Sequence, residues 1–148
     1  MNNTKLYIAY GSNLNLRQMA RRCPSAKVMG TGILKNYQLT FRNVATIEPV
    51  KGAETPVGVW EITQADEQAL DIYEGYPHLY RKETVDVELK SKTVKVMVYI
   101  MNTGNPSMPS SGYFETIAQG YQDTGLDTIY LNEALEDTAI RIKQRKLM

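Results

Sequence analysis

Tyr7-Ile8-Ala9-Tyr10-Gly11-Ser12-Asn13-Leu14 is the stretch on which the fold turns. Residues 6–10 form a short apolar run, the pattern of a buried strand. Gly11 lets the backbone turn sharply or lets a ligand approach it closely. Ser12 and Asn13 bring a hydroxyl and an amide to that turn. Asn15, with Gln18 three residues on and Met19 and Ala20 behind it, has the spacing of a helix start closed by a capping box. A strand that passes through a small polar loop into a helix N-terminus presents unpaired N–H groups, which suit a carboxylate or a phosphate. Gly-Ser-Asn is equally ordinary turn chemistry, so the residues alone leave both readings open.

Downstream, residues 16–23 read as a short helix stopped by Pro24. Residues 27–34 read as a strand interrupted at Gly30 and Gly32. Residues 37–42 alternate Tyr37, Leu39 and Phe41 with Gln38, Thr40 and Arg42, the strand period. Short strands are expected at 46–50 and at 57–62, the second holding Trp60, with a turn over 51–55. Thr63-Gln64-Ala65-Asp66 opens a helix with an acidic first turn, Ala69, Leu70 and Tyr73 give its apolar face, and Gly75 ends it with Pro77 beyond. Residues 80–90 and 93–101 alternate well, and Ser91-Lys92 between them is expected to turn a hairpin. A loop follows at 102–112, then helices at 113–123 and 128–146. Strands clustered between helices argue for an α+β or compact mixed domain over a doubly wound sheet. The 148 residues fit one domain, 1–148, able to bury a core without metal or disulfide staples.

The charge balance removes several classes of partner. Seventeen basic against sixteen acidic side chains leave +1, too neutral to argue for nucleic acid or an anionic membrane. No apolar run approaches a membrane span, and Met1-Asn2-Asn3-Thr4-Lys5 leads into a strand rather than a signal peptide. Cys23 is the only cysteine, which excludes an internal disulfide and fits a reducing cytoplasm. Beside a single histidine, His78 in a Pro-flanked turn, Cys23 reads as inert packing and His78 as a surface residue. The chain has no metal-ligand spacing, no Gly-x-Gly-x-x-Gly and no Walker-type loop. Ten tyrosines against two phenylalanines suit a polar pocket as well as a core, because tyrosine buries a ring and keeps a hydroxyl to bond.

Glu74 is the second focus. It falls at the C-terminal end of the helix that stops at Gly75, where the negative end of the helix dipole and an aromatic surrounding both disfavour its charge. A solvated surface glutamate is the other reading of the same position.

The five residues Tyr10-Gly11-Ser12-Asn13-Leu14, straight after an apolar strand, resemble the signature loop of the γ-glutamylcyclotransferase-like family. Asp71-x-x-Glu74-Gly75 resembles that family's catalytic-glutamate segment. Pro109-Ser110-x-x-Tyr113, followed by Ile117, Gly120 and Gly125-Leu126, resembles its C-terminal helical section, so the likeness runs over residues 6–135. The resemblance implies a small mixed β-barrel flanked by helices. It implies Glu74 as the catalytic acid/base, and Tyr10, Gly11, Ser12, Asn13 and Leu14 as substrate-binding, with Tyr80 beside the site and Tyr113 closing over it. The implied reaction is cyclisation of a small γ-glutamyl amide: the α-amine attacks the γ-carbonyl of the same molecule, giving 5-oxoproline and a free amine or amino acid, with no cofactor and no metal. Two other readings use the same residues. One is a non-catalytic binding module whose Glu74 only fixes an ammonium group; the other is an enzyme that strips a γ-glutamyl group from a biosynthetic amine.

Overall fold

The computed structural model describes residues 3–147; Met1, Asn2 and Met148, the ends of the expected signal-free start and of the expected domain, lie outside the described residues. Strand β1 (Thr4–Ala9) takes a central place in the sheet because Tyr7, Ile8 and Ala9 are all buried. Around it stand β2 (Lys27–Arg42), β3 (Val44–Thr63), β4 (Tyr80–Leu89) and β5 (Lys92–Met101), in the order β2-β3-β1-β5-β4. β1 pairs antiparallel with β3 and parallel with β5, so the sheet is mixed. Four helices complete the α+β arrangement: α1 (Leu16–Arg22), α2 (Gln64–Glu74), α3 (Ser111–Thr124) and α4 (Ile129–Lys146). None of them is long and apolar enough to cross a membrane.

The sheet curls without closing. Gly32 on the β2 edge stands so near β4 that a Cβ there would lie 2.6 Å from the carbonyl oxygen of Glu88. Among the described residues no ladder joins the two edges, so the implied barrel is an open, curled sheet. β2 and β3 are one long hairpin rather than the four short strands the sequence suggests. The pairing runs past the expected breaks: Met29 is the extra residue beside Gly30, Gly32 pairs in register with Val57, and farther on Lys35 faces Glu54 and Tyr37 faces Pro49, which leaves Asn36 opposite residues 50–53. Gly52 takes a positive φ there, and its N–H donates to Asn36 Oδ1. The β4–β5 turn is Lys90-Ser91, one residue earlier than expected, because the ladder pairs Leu89 with Lys92. Both turn residues sit at positive φ, the geometry a two-residue hairpin needs whatever its side chains.

Helix boundaries follow local chemistry. Thr63 and Asp66 form a full capping box on α2, and Gly75 closes it in the left-handed conformation. On α1 the box is half made: Asn15 Oδ1 accepts from Gln18 N–H, but the Gln18 side chain turns to Arg22 instead. Cys23 is buried against the carbonyl of Asp66, and burial pushes its thiol up to about 11, consistent with packing.

One glycine locks α3 onto the turn that follows β1. A Cβ on Gly120 would stand 2.6 Å from both Asn15 N and Leu14 C, backbone atoms that cannot give way cheaply. Gly120→Ala is therefore expected to cost about 1–3 kcal/mol by forcing α3 off the turn. A thermal melt reads this as a clear fall in Tm, and an unchanged Tm would contradict the packing.

Candidate active site

The end of β1 delivers its last side chains into a cavity of about 230 Å³. Past Tyr10 the chain makes a single 3-10 turn, Ser12–Leu14, closed by Leu14 N–H on the Gly11 carbonyl at 3.0 Å. Gly11, Ser12 and Asn13 line the cavity with Tyr10, Glu74, Tyr80 and Tyr113, so the structure brings these seven sequence-selected residues together. Leu14 is the exception. Its side chain is fully buried in the core and its N–H is spent on Gly11, so nothing of it is offered to a ligand from the cavity.

The N–H groups without an acceptor belong to the turn itself rather than to the start of α1. Leu16 N–H at the head of α1 donates to Asp123 Oδ2 at 3.1 Å, and Asn15 caps Gln18, which commits that helix end to structure. Among the described residues, no acceptor takes the N–H groups of Ser12 and Asn13. Two such donors in succession on a cavity wall suit a negatively charged oxygen.

Tyr80 and Tyr113 build the opposite wall through one residue. Tyr80 OH donates to the Ala45 carbonyl at 2.6 Å, and Ala45 N–H donates to Tyr113 OH at 3.0 Å. Tyr113 is placed by its own helix start, where Ser110 Oγ accepts from Tyr113 N–H. Tyr10 OH donates to the Tyr99 carbonyl at 2.6 Å. Burial raises the hydroxyls of Tyr10, Tyr80 and Tyr113 far above the usual phenol range, so they remain neutral donors and acceptors at any working pH.

Glu74 is the last residue of α2, and its half-buried carboxyl group faces the same cavity. Among the described residues it makes no hydrogen bond and no ion pair, although nearly every other polar group around it does. Desolvation pushes its pKa up to about 7, against the pull of the Arg22 guanidinium, which lowers it. An uncommitted carboxyl poised near neutrality in a cleft is the form a proton-transfer group takes.

Arg22 is a residue the sequence did not single out. Its guanidinium lies 3.5 Å from the centre of the Tyr73 ring, Nη1 donates to Asn13 Oδ1 at 2.6 Å, and Nη2 donates to Gln18 Oε1 at 2.5 Å. Asn13 in turn donates to Tyr7 OH at 3.0 Å, and Tyr73 OH shares a 2.7 Å hydrogen bond with Ser12 Oγ. Arg22 thus holds the turn, the α2 tyrosine and Tyr7 in one frame. Tyr7, Tyr73 and Tyr99 also line the cavity. Period-2 and period-3.6 patterning show such residues only as apolar faces; the Tyr99 hydroxyl meets Asp71 across 28 residues of chain and that of Tyr73 meets Ser12 across 61. Arg22→Gln is expected to raise the Glu74 pKa further, since the one lowering influence is gone. A 13C NMR titration of the side-chain carboxyl reads this directly, and an unmoved or lowered titration point would contradict it.

His78 is exposed and outside the cavity lining, as its turn setting suggests. Among the described residues no group of His, Cys, Asp and Glu is arranged to hold a metal ion.

Residues 7–116 match the family model described as gamma-glutamyl cyclotransferase, AIG2-like. A human protein named gamma-glutamylcyclotransferase is 30% identical over 139 residues, covering 84% of this chain and 74% of its own length. The mouse protein of that name is 29% identical over 141 residues, covering 86% and 75%. A solved structure titled gamma-glutamyl cyclotransferase superposes with a TM-score of 0.82 at 28% identity, covering 88% of this chain and 86% of that one. The matched region contains the turn, α2 with Glu74, Tyr80 and Tyr113.

Proposed function

The chain belongs to the gamma-glutamyl cyclotransferase, AIG2-like family, and we propose from its cavity that it cyclises a γ-glutamyl amide to 5-oxoproline with Glu74 as general acid/base. The nucleophile is the substrate's own α-nitrogen, so the protein needs no serine or cysteine of its own. What it must supply is a folded substrate, a proton carrier and donors for negative oxygen.

The bond that forms joins the α-nitrogen to the γ-carbonyl carbon; the bond that breaks is the γ-amide C–N. The α-ammonium loses two protons on becoming a lactam N–H, and the leaving nitrogen gains two on departing as an ammonium. A group that both takes and gives protons therefore serves each half of the reaction, and Glu74, whose carboxyl lines the cavity, is the group to which we assign it. In water a carboxylate is a weak base toward an ammonium. In a cavity walled by Tyr7, Ile8, Tyr10 and Tyr80, desolvation penalises both charges, and moving one proton converts an ion pair into two neutral groups. The Ser12 and Asn13 N–H groups take a negative oxygen of the glutamyl part, either its α-carboxylate or the carbonyl oxygen as it becomes an oxyanion. Gly11, Tyr10, Tyr80 and Tyr113 shape the space around it.

The observation that carries this reading is Glu74: a carboxyl group with no hydrogen bond or ion pair among the described residues, pushed up to about 7 by burial, lining the same cavity as Ser12 and Asn13. The test is a panel of γ-glutamyl amino acids and γ-glutamyl amines incubated with pure protein and assayed for 5-oxoproline. Stoichiometric release of 5-oxoproline and amine from at least one compound is expected. Tight binding across the panel with no product would support the binding-module reading instead.

A further inference from the structure

The tyrosine hydroxyls of the cavity differ in where their protons go. Tyr10 OH donates to the Tyr99 carbonyl, Tyr80 OH to the Ala45 carbonyl and Tyr99 OH to Asp71 Oδ1, each at 2.6 Å. These three turn only lone pairs to a ligand. Tyr73 OH and Ser12 Oγ share a 2.7 Å hydrogen bond, which spends one proton of that pair. Tyr113 OH accepts from Ala45 N–H and has the Ser12 hydroxyl as a neighbour.

Tyr7 is different, and its proton can be placed by the chemistry of its neighbours. A guanidinium has donors and no acceptor. Arg22 Nη1 donates to Asn13 at 2.6 Å, so the amide oxygen of Asn13 must face Arg22 and its NH2 must face Tyr7. That NH2 also only donates, so Tyr7 OH accepts from it, at 3.0 Å. Among the described residues no acceptor takes the Tyr7 proton. The side chain lines the cavity from the central strand β1, where Tyr7 pairs with Trp60 on one side and Met97 on the other. Its ring is buried and stands edge-on to that of Tyr99, with centroids 5.9 Å apart. A donor mounted on a paired strand is held more exactly than one on a loop. Arg22, Asn13 and Tyr7 make a chain of donors with a positive charge at its head, and each bond polarises the next. Burial, and after it the Glu74 charge, hold the Tyr7 hydroxyl well above the usual phenol range, so it keeps its proton.

We propose that Tyr7 contacts the substrate, its O–H donating to the γ-carbonyl oxygen and binding it more strongly as that oxygen gains charge. The proposal rests on the cyclotransferase reading above and adds a residue to it. The choice of this oxygen over the α-carboxylate follows from Glu74, which lines the same cavity and whose charge Tyr7 feels. A permanent carboxylate at Tyr7 would face the Glu74 charge throughout. The oxyanion exists only while Glu74 is neutral: the α-nitrogen pair closes the ring, the carbonyl pair moves onto oxygen, and Glu74 takes a proton from that nitrogen. On collapse the oxygen pair returns, the γ-amide bond breaks with its electrons on the leaving nitrogen, and Glu74 gives that nitrogen a proton. Tyr7 transfers nothing; it stabilises the charge between the two steps.

The test is Tyr7→Phe, which removes only the hydroxyl, assayed by amine release from the best γ-glutamyl amide of the panel and from its thioamide, with sulfur in place of the γ-carbonyl oxygen. Loss of one such donor is expected to lower kcat on the amide at least about tenfold. KM and the dissociation constant of 5-oxoproline should stay within about threefold, as for an interaction made mainly in the transition state. Sulfur accepts hydrogen bonds weakly, so the preference for the amide over the thioamide should shrink in the variant, a coupling that a merely structural role would not produce. Asn13→Asp is the second arm: the carboxylate keeps Arg22 as its partner and draws the Tyr7 proton away from the cavity with the ring still in place. It should shrink the same preference, and it carries the test if Tyr7→Phe does not fold. An unchanged kcat, or an amide preference as large as in the unsubstituted protein, would overturn the proposal while leaving the cyclotransferase reading standing. So would a raised KM and a weakened hold on 5-oxoproline at unchanged kcat, which would move Tyr7 to the α-carboxylate. Product from no compound of the panel with the unsubstituted protein would overturn both.

Discussion

Glu74→Gln is expected to keep the fold and lower turnover by at least about 10²-fold, the usual scale for loss of a positioned acid/base. The amide is nearly isosteric with the carboxyl group but cannot cycle a proton. Ligand binding should persist at reduced strength, since the partner of the substrate ammonium loses its charge. The same variant carries a second, independent signature. A carboxyl group whose folded pKa is raised to about 7 gives a stability contribution that is full below its unfolded pKa and is lost as pH rises through the folded one. Above pH 7 the protein thus holds a poorly solvated charge that glutamine lacks. Glu74→Gln should melt a few degrees higher at pH 8, roughly 2–4 °C for each kcal/mol relieved, and the gap should shrink toward pH 5. Normal turnover on the best substrate of the panel would remove Glu74 from the chemistry.

The second large effect is expected at Gly11. Its φ is −130°, so no left-handed conformation requires a glycine there. A methyl group would stand 3.1 Å from Ala45 Cβ and 3.5 Å from Tyr113 OH, against the wall that Tyr80 and Tyr113 hold through the Ala45 backbone. The strain therefore falls on the cavity. Gly11→Ala should reduce kcat/KM by at least about tenfold, because small displacements of positioning groups cost rate steeply, with a much smaller change in Tm. The dissociation constant of 5-oxoproline and the melting temperature, measured on one sample, separate the outcomes. Unchanged affinity with a lowered Tm would reduce Gly11 to a structural role.

Much of this was legible in the chain because it is local. Thr63 with Asp66, the apolar spacing of Ala69, Leu70 and Tyr73, and Gly75 fix both ends of α2, and with them the place of Glu74. The apolar run before Gly11 becomes a central strand because tyrosine, isoleucine and alanine tolerate burial on both faces. What was not legible is decided across space. Gly30, Gly32 and the 51–55 segment look like breaks, yet β2 and β3 pair past them: Gly32 stays in register with Val57, and irregularities at Met29 and at Asn36 absorb the extra residues. Leu14 shares a motif with Gly11 and Ser12, but a 3-10 turn swings it into the core. Arg22 reads as one more base on a short helix; only the fold shows it stacked on Tyr73 and holding Asn13. The helix start at Asn15 has the pattern of an anion seat and is instead tied down by Asp123, 107 residues away.

The central claim is that Glu74 moves the proton from a raised pKa, and the dependence of kcat/KM on pH tests it most directly. With the best γ-glutamyl amide of the panel, kcat/KM should rise with pH on an acid limb centred near pH 7, the folded pKa of Glu74 in the free protein. Residual activity in Glu74→Gln should lack that limb. An acid limb lying instead in the ordinary carboxylate range, or one that survives the substitution unchanged, would contradict the account.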